Sequence, residues 1–249
     1  MAEFDGKVAL VTGGASGIGR ATALKLARNG AAVLIVDLAA VGINAVAAEI
    51  AVFGGKATPF VADVTNPDAI AAAVAMAESK YGALHLAFNN AGITGPSGLL
   101  ADIDIEAYRQ VIEVNLNSVF YGMHAEIPAI LRAGGGAIVN TASILGLVGQ
   151  AASAGYATAK HGVTGLTKVA ALDYADKGIR INSIHPGYID TPLLKHLSPE
   201  MRQKLTSRHA MGRFGTEEEI AETVIFLLSG RASFVTGSQL VADGGYTTQ

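Results

Sequence analysis

The sequence contains no cysteine and no tryptophan, and charged residues make up only 16% of its 249 positions, compared with about 25% in a typical soluble domain. Without cysteine the chain cannot form disulfides, a thiolate zinc site or a cysteine nucleophile, and this composition fits a reducing compartment such as the cytoplasm. The net charge of −3 provides no basic surface for DNA or RNA. We therefore expect a cytoplasmic protein that has no nucleic-acid partner.

A membrane-spanning helix is not expected either. Residues 133–159 carry no charge and are numerous enough to span a bilayer, but six glycines and several polar side chains interrupt them. Such a composition is typical of a buried strand, a loop and the start of a helix. The first residues are charged and lead directly into a predicted strand, so we expect no targeting segment and no membrane partner.

Short apolar runs alternate with longer helical segments along the chain. Continuous apolar runs are typical of strands that are buried on both faces of a sheet. The predicted strands are residues 8–11, 32–36, 57–61, 84–88, 137–140, 179–184 and 239–241. The predicted helices are residues 17–29, 40–53, 68–81, 105–132, 153–175 and 217–228. This alternation predicts an α/β protein with a doubly wound parallel sheet and helices on both faces, formed as a single domain over residues 1–249.

A glycine loop and an acidic residue indicate a dinucleotide site. Gly13, Gly17 and Gly19 follow the first strand, and a helix start at this point offers free amide groups to a pyrophosphate. Asp37 ends the second strand and is followed by Leu38. A carboxylate at this position binds the adenosine ribose hydroxyls and repels a 2′-phosphate, so the pattern favours NAD over NADP. A solvated turn aspartate is the alternative interpretation.

The ordered set of motifs resembles the short-chain dehydrogenase/reductase family from residue 7 to the C-terminus. The motifs are Thr12-Gly13-x-x-x-Gly17-Ile18-Gly19, Asp63-Val64, Asn89-Asn90-Ala91-Gly92, Asn115, Ser143, Tyr156-x-x-x-Lys160, Pro186-Gly187 and Asp243-Gly244-Gly245. The resemblance implies a Rossmann-like sheet of seven strands and nicotinamide-dependent hydride transfer. Within the family, the chain looks like bacterial NAD-dependent secondary-alcohol dehydrogenases.

The same resemblance implies which residues bind the cofactor. It places Asp63 and Val64 beside the adenine, Asn90 along the cofactor and Thr191 at the nicotinamide carboxamide. Ser16 stands where NADP-preferring relatives often carry a basic residue, which again favours NAD. The full implied set is Gly13, Ser16, Gly17, Ile18, Gly19, Asp37, Leu38, Asp63, Val64, Asn90, Ala91, Gly92, Tyr156, Lys160, Pro186, Gly187, Ile189 and Thr191.

The expected catalytic residues are Tyr156, Lys160, Ser143 and Asn115. Tyr156 and Lys160 are one helical turn apart and share a face. A nearby ammonium and the positive nicotinamide ring both lower the pKa of a phenol from about 10. Tyr156 is therefore predicted to be the general base in alcohol oxidation and the general acid in ketone reduction. Ser143 follows the fifth strand and is expected to hydrogen-bond the substrate oxygen. By resemblance, Asn115 holds a water that links Lys160 to solvent.

The substrate is expected to be a neutral, medium-sized alcohol or ketone, because the residues around the expected chemistry are mostly apolar. The predicted substrate-binding residues are Ser143, Leu145, Gln150, Tyr156, Tyr188 and Leu193, and Leu147 and Val148 are expected nearby. Residues 188–213 are predicted to form a lid whose helix starts at Ser198.

Two other functions remain open at this point: an NADP-dependent 3-oxoacyl carrier-protein reductase, and a dinucleotide-binding protein without catalysis. Asp37 argues against the first, and the presence of both Tyr156 and Lys160 argues against the second. By resemblance the chain forms a homotetramer. No metal site is expected, although Gln249 could contribute to a structural magnesium site in such a tetramer, and His161 and His185 are expected to have structural roles.

Overall fold

The predicted apolar runs form strands in the computed structural model, which describes residues 2–195 and 197–248. The strands are β1 (Val8–Thr12), β2 (Ala32–Asp37), β3 (Lys56–Val61), β4 (Leu86–Asn89), β5 (Gly136–Thr141), β6 (Ile179–Pro186) and β7 (Gln239–Ala242). In this described part of the chain, these seven strands form one parallel sheet in the order β3-β2-β1-β4-β5-β6-β7. The predicted fold class and strands are confirmed, with ends that differ by one or two residues.

Helices cover both faces of this sheet. They are α1 (Gly17–Arg28), α2 (Ala40–Val52), α3 (Pro67–Tyr81), α4 (Ile105–Ile112), α5 (Ser118–Arg132), α6 (Ala154–Tyr174), α7 (Pro199–Thr206) and α8 (Glu217–Leu228). One apolar core lies between the sheet and α3, α5 and α6, and the other between the sheet and α1, α2 and α8. Within β1, Val8 and Leu10 belong to the first core, while Ala9 and Val11 belong to the second, as the alternation of side chains in a strand requires.

The strand order reverses between β1 and β4, and the position of the candidate binding site follows from this reversal. From β1 the chain builds outward to β2 and β3, and it then returns to the other side of β1 with β4. Loops that follow β1 and β4 therefore diverge at the carboxyl edge of the sheet and leave a crevice between them, where doubly wound folds bind their ligands.

The single helix predicted for residues 105–132 is wrong at its centre. The structure has α4, then one π-helical turn over Glu113–Asn117, and then α5. The wider turn contains Asn115, whose amide bonds both backbone groups of Ile93: Nδ2 donates to the carbonyl oxygen at 2.7 Å, and Oδ1 accepts from the amide at 2.8 Å. A π-helical turn of this kind is often found at a functional site.

The predicted helix start in the lid segment is confirmed. The Ser198 hydroxyl accepts a hydrogen bond from the Met201 amide at 3.2 Å, and α7 begins at the next residue, Pro199. An isolated bridge between Ile189 and Gly215 joins the two ends of this segment. Whether the segment closes over a substrate stays a prediction. None of the helices in the described residues is both long and apolar enough to cross a bilayer.

Candidate active site

The loop after β1 has a backbone conformation that requires glycine. Gly13 and Gly17 have φ angles of +64° and +58°, which other L-residues rarely adopt. A Cβ atom on Gly19 would overlap the Gly13 carbonyl oxygen, and one on Gly14 would lie 2.5 Å from the Ile35 side chain. The loop therefore folds closely on itself, and the first turn of α1 can present its amide groups to an anion.

The Asp37 carboxylate is held at the end of β2 by two backbone amides. Its Oδ2 accepts from Ala15 in the glycine loop at 3.1 Å, and its Oδ1 accepts from Ala39 at 3.0 Å. The side chain of Leu38 is largely exposed. Arg20, in the helix that follows the loop, is paired with Glu49 at 2.5 Å. The Asp37 carboxylate therefore lies against the glycine loop, and the Glu217 carboxylate lies near Gly17.

Asn90 connects the ends of three neighbouring strands. Its backbone amide donates to the Thr12 hydroxyl at the end of β1 at 2.9 Å, and its side-chain amide donates to the Thr12 carbonyl at 3.2 Å. The Thr141 hydroxyl, at the end of β5, donates to Asn90 Oδ1 at 3.3 Å. These bonds fix the floor of the crevice between the glycine loop and the end of β5.

Ser143 lies just after β5 and is almost completely buried. Its hydroxyl oxygen accepts a hydrogen bond from the Leu145 amide at 3.1 Å, which leaves the hydroxyl hydrogen available to another acceptor. The hydroxyl also interacts with the phenol of Tyr156. The predicted pair of hydroxyls therefore faces the same space.

Lys160 is buried at 3% exposure, and its Nζ donates to the Thr141 carbonyl oxygen at 2.7 Å. Burial lowers the pKa of this ammonium to about 8, so it is still mostly charged at neutral pH. Nζ lies 5.6 Å from the centre of the Tyr156 ring. Asn115 is fully buried beside Ile93, behind the wall that Gly92 forms.

The lowered Tyr156 pKa stays a prediction for the complex with the nicotinamide, whereas the protein alone shows the opposite direction. Burial raises the pKa of the phenol above its ordinary value, and the hydrogen bond with Ser143 only partly offsets this effect. The ammonium of Lys160 is directed at the Thr141 carbonyl rather than at the phenol oxygen. Tyr156 is accordingly a neutral phenol at neutral pH, which is the form that can donate a proton.

A second hydrogen-bonded group, formed by Tyr188, Gln150 and Ser153, lines the same crevice as the Ser143 and Tyr156 hydroxyls. The Tyr188 hydroxyl donates to Gln150 Oε1 at 2.8 Å, and Gln150 Nε2 donates to the Ser153 hydroxyl at 3.3 Å. The Tyr188 ring stacks on Phe214 with a centroid distance of 5.7 Å. These contacts join the loop before α6 to the start of the lid segment.

Almost all predicted site residues line one cavity of about 1270 Å³, which exceeds the roughly 300–1,000 Å³ of a typical small-molecule site. Gly19 and Asn115 support its wall from behind, and Leu147 and Val148, which were expected near the chemistry, do not line it. Their expected position beside the chemistry is not confirmed, because after the 3₁₀ turn over Ile144–Gly146 the chain does not line the cavity again until Gln150.

The cavity also contains residues that were not predicted from the sequence. Glu106, Arg109 and Glu113 line it from α4 and the π-helical turn. Their pattern in the sequence is that of an ordinary exposed helix face. The Thr141 carbonyl was missed as well, since no sequence signal identifies a backbone oxygen as the partner of a lysine.

Comparisons with known proteins agree with this geometry. A family model described as enoyl-(acyl carrier protein) reductase matches residues 13–247. Cyclohexanol dehydrogenase from Acinetobacter sp. (strain SE19) is 57% identical over 247 residues, which is 99% of this chain and 97% of that protein. The chain belongs to the short-chain dehydrogenase/reductase family.

Two further members of the family are similar over their full length. Cis-4-hydroxycyclohexanecarboxylate dehydrogenase from Sinomonas cyclohexanicum is 47% identical, and the match covers 98% of each chain. The crystal structure of levodione reductase superimposes with a TM-score of 0.95 at 37% identity, covering 98% of this chain and 99% of that one. As a short-chain dehydrogenase/reductase, the protein is an oxidoreductase of alcohol and ketone groups that uses a nicotinamide dinucleotide.

The residues present fit a nicotinamide dinucleotide. Gly17 lines the cavity with a φ angle of +58°, which other L-residues rarely adopt, so the backbone at the start of α1 is open to a ligand. The cavity extends from Asp37 and Asp63 past the glycine loop to Tyr156. The glycine loop, a carboxylate and a phenol thus follow one another along the cavity in the order that a dinucleotide cofactor would require. Among the described residues, no cluster of three or more His, Asp or Glu side chains could hold a metal ion, and Gln249 lies outside those residues.

Proposed function

We propose that this protein is an NAD-dependent dehydrogenase that interconverts a secondary alcohol on a six-membered carbon ring and the corresponding ketone. The observation that carries the proposal is the convergence of Ser143, Tyr156 and Lys160 on one wall of the cavity that also contains Asp37. Support for the ring comes from the relatives, since two of them are named for acting on cyclohexanol and on a hydroxycyclohexane acid.

In the proposed reaction Tyr156 exchanges the proton of the substrate oxygen. As a phenol it donates this proton when a ketone is reduced, and as a phenolate it accepts the proton when an alcohol is oxidised. The nicotinamide ring, when bound, accepts or donates the hydride. Ser143 donates a hydrogen bond to the same substrate oxygen, and the Leu145 amide that binds Ser143 Oγ orients this hydroxyl.

Lys160 has two roles in this proposal. Its ammonium stabilises the phenolate form of Tyr156 through the low-dielectric interior, and it can donate to the ribose hydroxyls of the bound cofactor. The Thr141 carbonyl holds the ammonium in place. Asn115 fixes the backbone at Ile93, and its proposed role is to retain a water that connects Lys160 with solvent.

The preference for NAD rests on Asp37. Two backbone amides hold its carboxylate beside the glycine loop, where it would accept hydrogen bonds from the ribose hydroxyls. A 2′-phosphate at this position would meet a negative charge at short range. The apolar residues Leu145, Leu193 and Leu194 line the other end of the cavity, which suits a neutral carbocycle.

The tetramer and the cytoplasmic location stay predictions. The outer faces of α5 and α6 expose Phe120, Val169 and Leu172, and the edge strand β7 exposes Val241. Exposed apolar side chains at two separate places would suit two interfaces of a symmetric assembly.

A substrate panel tests the proposed function. Purified protein is mixed with NAD or NADP and with cyclohexanol, an open-chain secondary alcohol or a primary alcohol, while the absorbance of the reduced cofactor is followed. We expect the highest kcat/KM for cyclohexanol with NAD, and a value at least about tenfold lower with NADP. A second assay follows the oxidation of NADH or NADPH with cyclohexanone or a 3-oxoacyl thioester, and turnover restricted to NADPH and the thioester would support the reductase alternative instead. NAD binding in a calorimetric titration, without turnover in either assay, would support the non-catalytic one.

Replacing Asp37 is expected to reduce the preference for NAD. In Asp37→Asn the side chain keeps an acceptor for one of the two backbone amides but loses the charge that repels a 2′-phosphate. We expect the ratio of kcat/KM with NAD to that with NADP to fall by about tenfold, which corresponds to about 1.4 kcal/mol of differential binding. Steady-state kinetics with both cofactors measure this ratio.

The control for this variant is Asp176→Asn, the same change at an exposed position. Its cofactor ratio should equal that of the unmodified protein. An unchanged ratio in Asp37→Asn would show that the carboxylate does not face the ribose.

A further inference from the structure

His185 is a fully buried histidine that contacts Ser143. Its Nδ1 lies 2.8 Å from the Ser143 carbonyl oxygen, and its Nε2 lies 2.9 Å from the Ser183 hydroxyl. Because a carbonyl oxygen can only accept, Nδ1 must carry the hydrogen. Burial lowers the pKa of the imidazole, so the ring is neutral and Nε2 accepts from Ser183.

This contact occurs where the pairing between β5 and β6 ends. The Ala142 amide donates to the Ile184 carbonyl at 2.9 Å. The next donor from β6 in a parallel ladder would be the amide of residue 186, which is a proline and has no amide hydrogen. The His185 side chain supplies a donor one step further along and bonds Ser143 instead.

Ser143 is consequently held at two atoms, its carbonyl oxygen and its side-chain oxygen. Its carbonyl oxygen accepts from His185 and also from the Gly146 amide at 2.8 Å. Its side-chain oxygen accepts from the Leu145 amide at 3.1 Å. Of these three donors, His185 is the one that comes from another strand, so it sets where the turn after β5 stands relative to the sheet.

We infer that His185 is a positioning residue for the reaction: its imidazole fixes Ser143 at the distance from the substrate oxygen that proton transfer through Tyr156 requires. The inference rests on the proposed role of Ser143. His185 does not line the cavity, so it acts through the Ser143 carbonyl. A misplacement of about 1 Å at a reacting group can cost about 10²-fold in rate.

The test compares His185→Leu with His185→Asn. Leucine removes the donor, and asparagine retains an N–H group at nearly the reach of Nδ1. We expect kcat to fall by about tenfold to 100-fold in the leucine variant and to remain within about threefold in the asparagine variant, while the Kd for NADH, measured by fluorescence, stays within about twofold in both. A normal kcat in His185→Leu would overturn the inference. A folded His185→Asn protein with a kcat as low as that of His185→Leu would overturn it as well.

Two controls separate positioning from general damage to the fold. His85→Leu makes the same change just before β4, at the amino ends of the strands, where His85 accepts from the Val8 amide at 3.1 Å. This variant should lower the melting temperature, because the bond from the Val8 amide is lost, and leave kcat unchanged. If His185→Leu does not fold, His185→Phe removes the donor with a ring of similar size and takes the same measurements.

A double-mutant cycle with Ser143→Ala distinguishes the failure of this inference from that of the proposed function. If both hold, Ser143→Ala lowers kcat and adding His185→Leu lowers it little further, because the group being positioned is already absent. A normal kcat in Ser143→Ala would reject the proposed role of Ser143. The inference alone would be rejected if Ser143→Ala lowers kcat and adding His185→Leu lowers it further by the same factor as in the single His185→Leu variant.

Discussion

Tyr156→Phe is expected to lower kcat by roughly 10²- to 10⁴-fold, the range for loss of a positioned acid–base group. The change removes only the phenol hydroxyl, and the ring can keep its place 5.6 Å from Lys160 Nζ. The Kd for NADH should therefore change little. Steady-state oxidation of cyclohexanol and fluorescence titration with NADH measure the two quantities separately.

Tyr81→Phe is the matched control, because it also removes a hydrogen-bonded phenol hydroxyl. Tyr81 Oη lies 2.6 Å from the Thr58 hydroxyl, at the β3 side of the sheet and away from the cavity. Its kcat should stay within about twofold of the unmodified protein. A Tyr156→Phe enzyme that oxidises cyclohexanol at a near-normal rate would contradict the proposed chemistry.

The raised pKa of Tyr156 also predicts the direction of the pH dependence. Alcohol oxidation needs the phenolate, whose population increases with pH, and ketone reduction needs the phenol. Because burial stabilises the phenol, oxidation should accelerate from neutral to alkaline pH while reduction slows. Both trends should be absent in whatever residual activity Tyr156→Phe retains.

The fold could be predicted because its signals are local. Each buried parallel strand is a short continuous apolar run, and each following helix repeats its apolar residues at helical spacing. The glycine loop could be located for the same reason, since the positive φ angles at positions 13 and 17 favour glycine, which is visible in the sequence. Asp37 was identified by its position at the end of the second strand, one strand after the glycine loop.

Features that depend on distant contacts could not be predicted. The π-helical turn over Glu113–Asn117 is stabilised by Asn115 binding Ile93, which is 22 residues away, and the helical pattern of residues 105–132 continues through it. His185 meets Ser143 across 42 residues. The spacing of Tyr156 and Lys160 predicts a shared face, but the direction of the ammonium and the degree of burial, which determine both pKa values, are tertiary properties.

Glu126 is a carboxylic acid inside the protein for which the proposed reaction has no use. It is fully buried in α5, against the carboxyl end of β4. Its Oε2 accepts from Asn89 Nδ2 at 3.0 Å, and Oε1 has no hydrogen-bond partner among the described residues. Burial raises the pKa of Glu126 from 4.5 to about 7, an effect that the hydrogen bond from Asn89 only partly offsets.

This raised pKa makes the stability depend on pH. Below pH 4.5 the carboxyl is protonated in both the folded and the unfolded chain, so it carries no penalty. As the pH rises from 4.5 to about 7, the unfolded chain loses the proton while the folded chain retains it, and the free energy of unfolding decreases. Above pH 7 the penalty is constant, at about 3 kcal/mol for a shift of this size and about 1.36 kcal/mol per pKa unit.

Glu126→Gln is therefore expected to stabilise the protein at alkaline pH. Glutamine cannot ionise and retains an acceptor for Asn89, so it resembles the protonated acid. We expect its free energy of unfolding to exceed that of the unmodified protein by about 3 kcal/mol at pH 8.5, and by less than about 1 kcal/mol at pH 5. Urea denaturation at one fixed protein concentration measures both values.

Glu218→Gln, the same substitution on the exposed first turn of α8, should change the stability by less than about 0.5 kcal/mol at either pH. The contrast matters because removing any surface charge can shift stability slightly, whereas only a buried carboxyl gives a gain that grows between pH 5 and pH 8.5. If Glu126→Gln and the unmodified protein were equally stable at pH 8.5, water or a rearrangement of α5 would have to solvate Oε1. Ionisation of Glu126 would then not lower the free energy of unfolding.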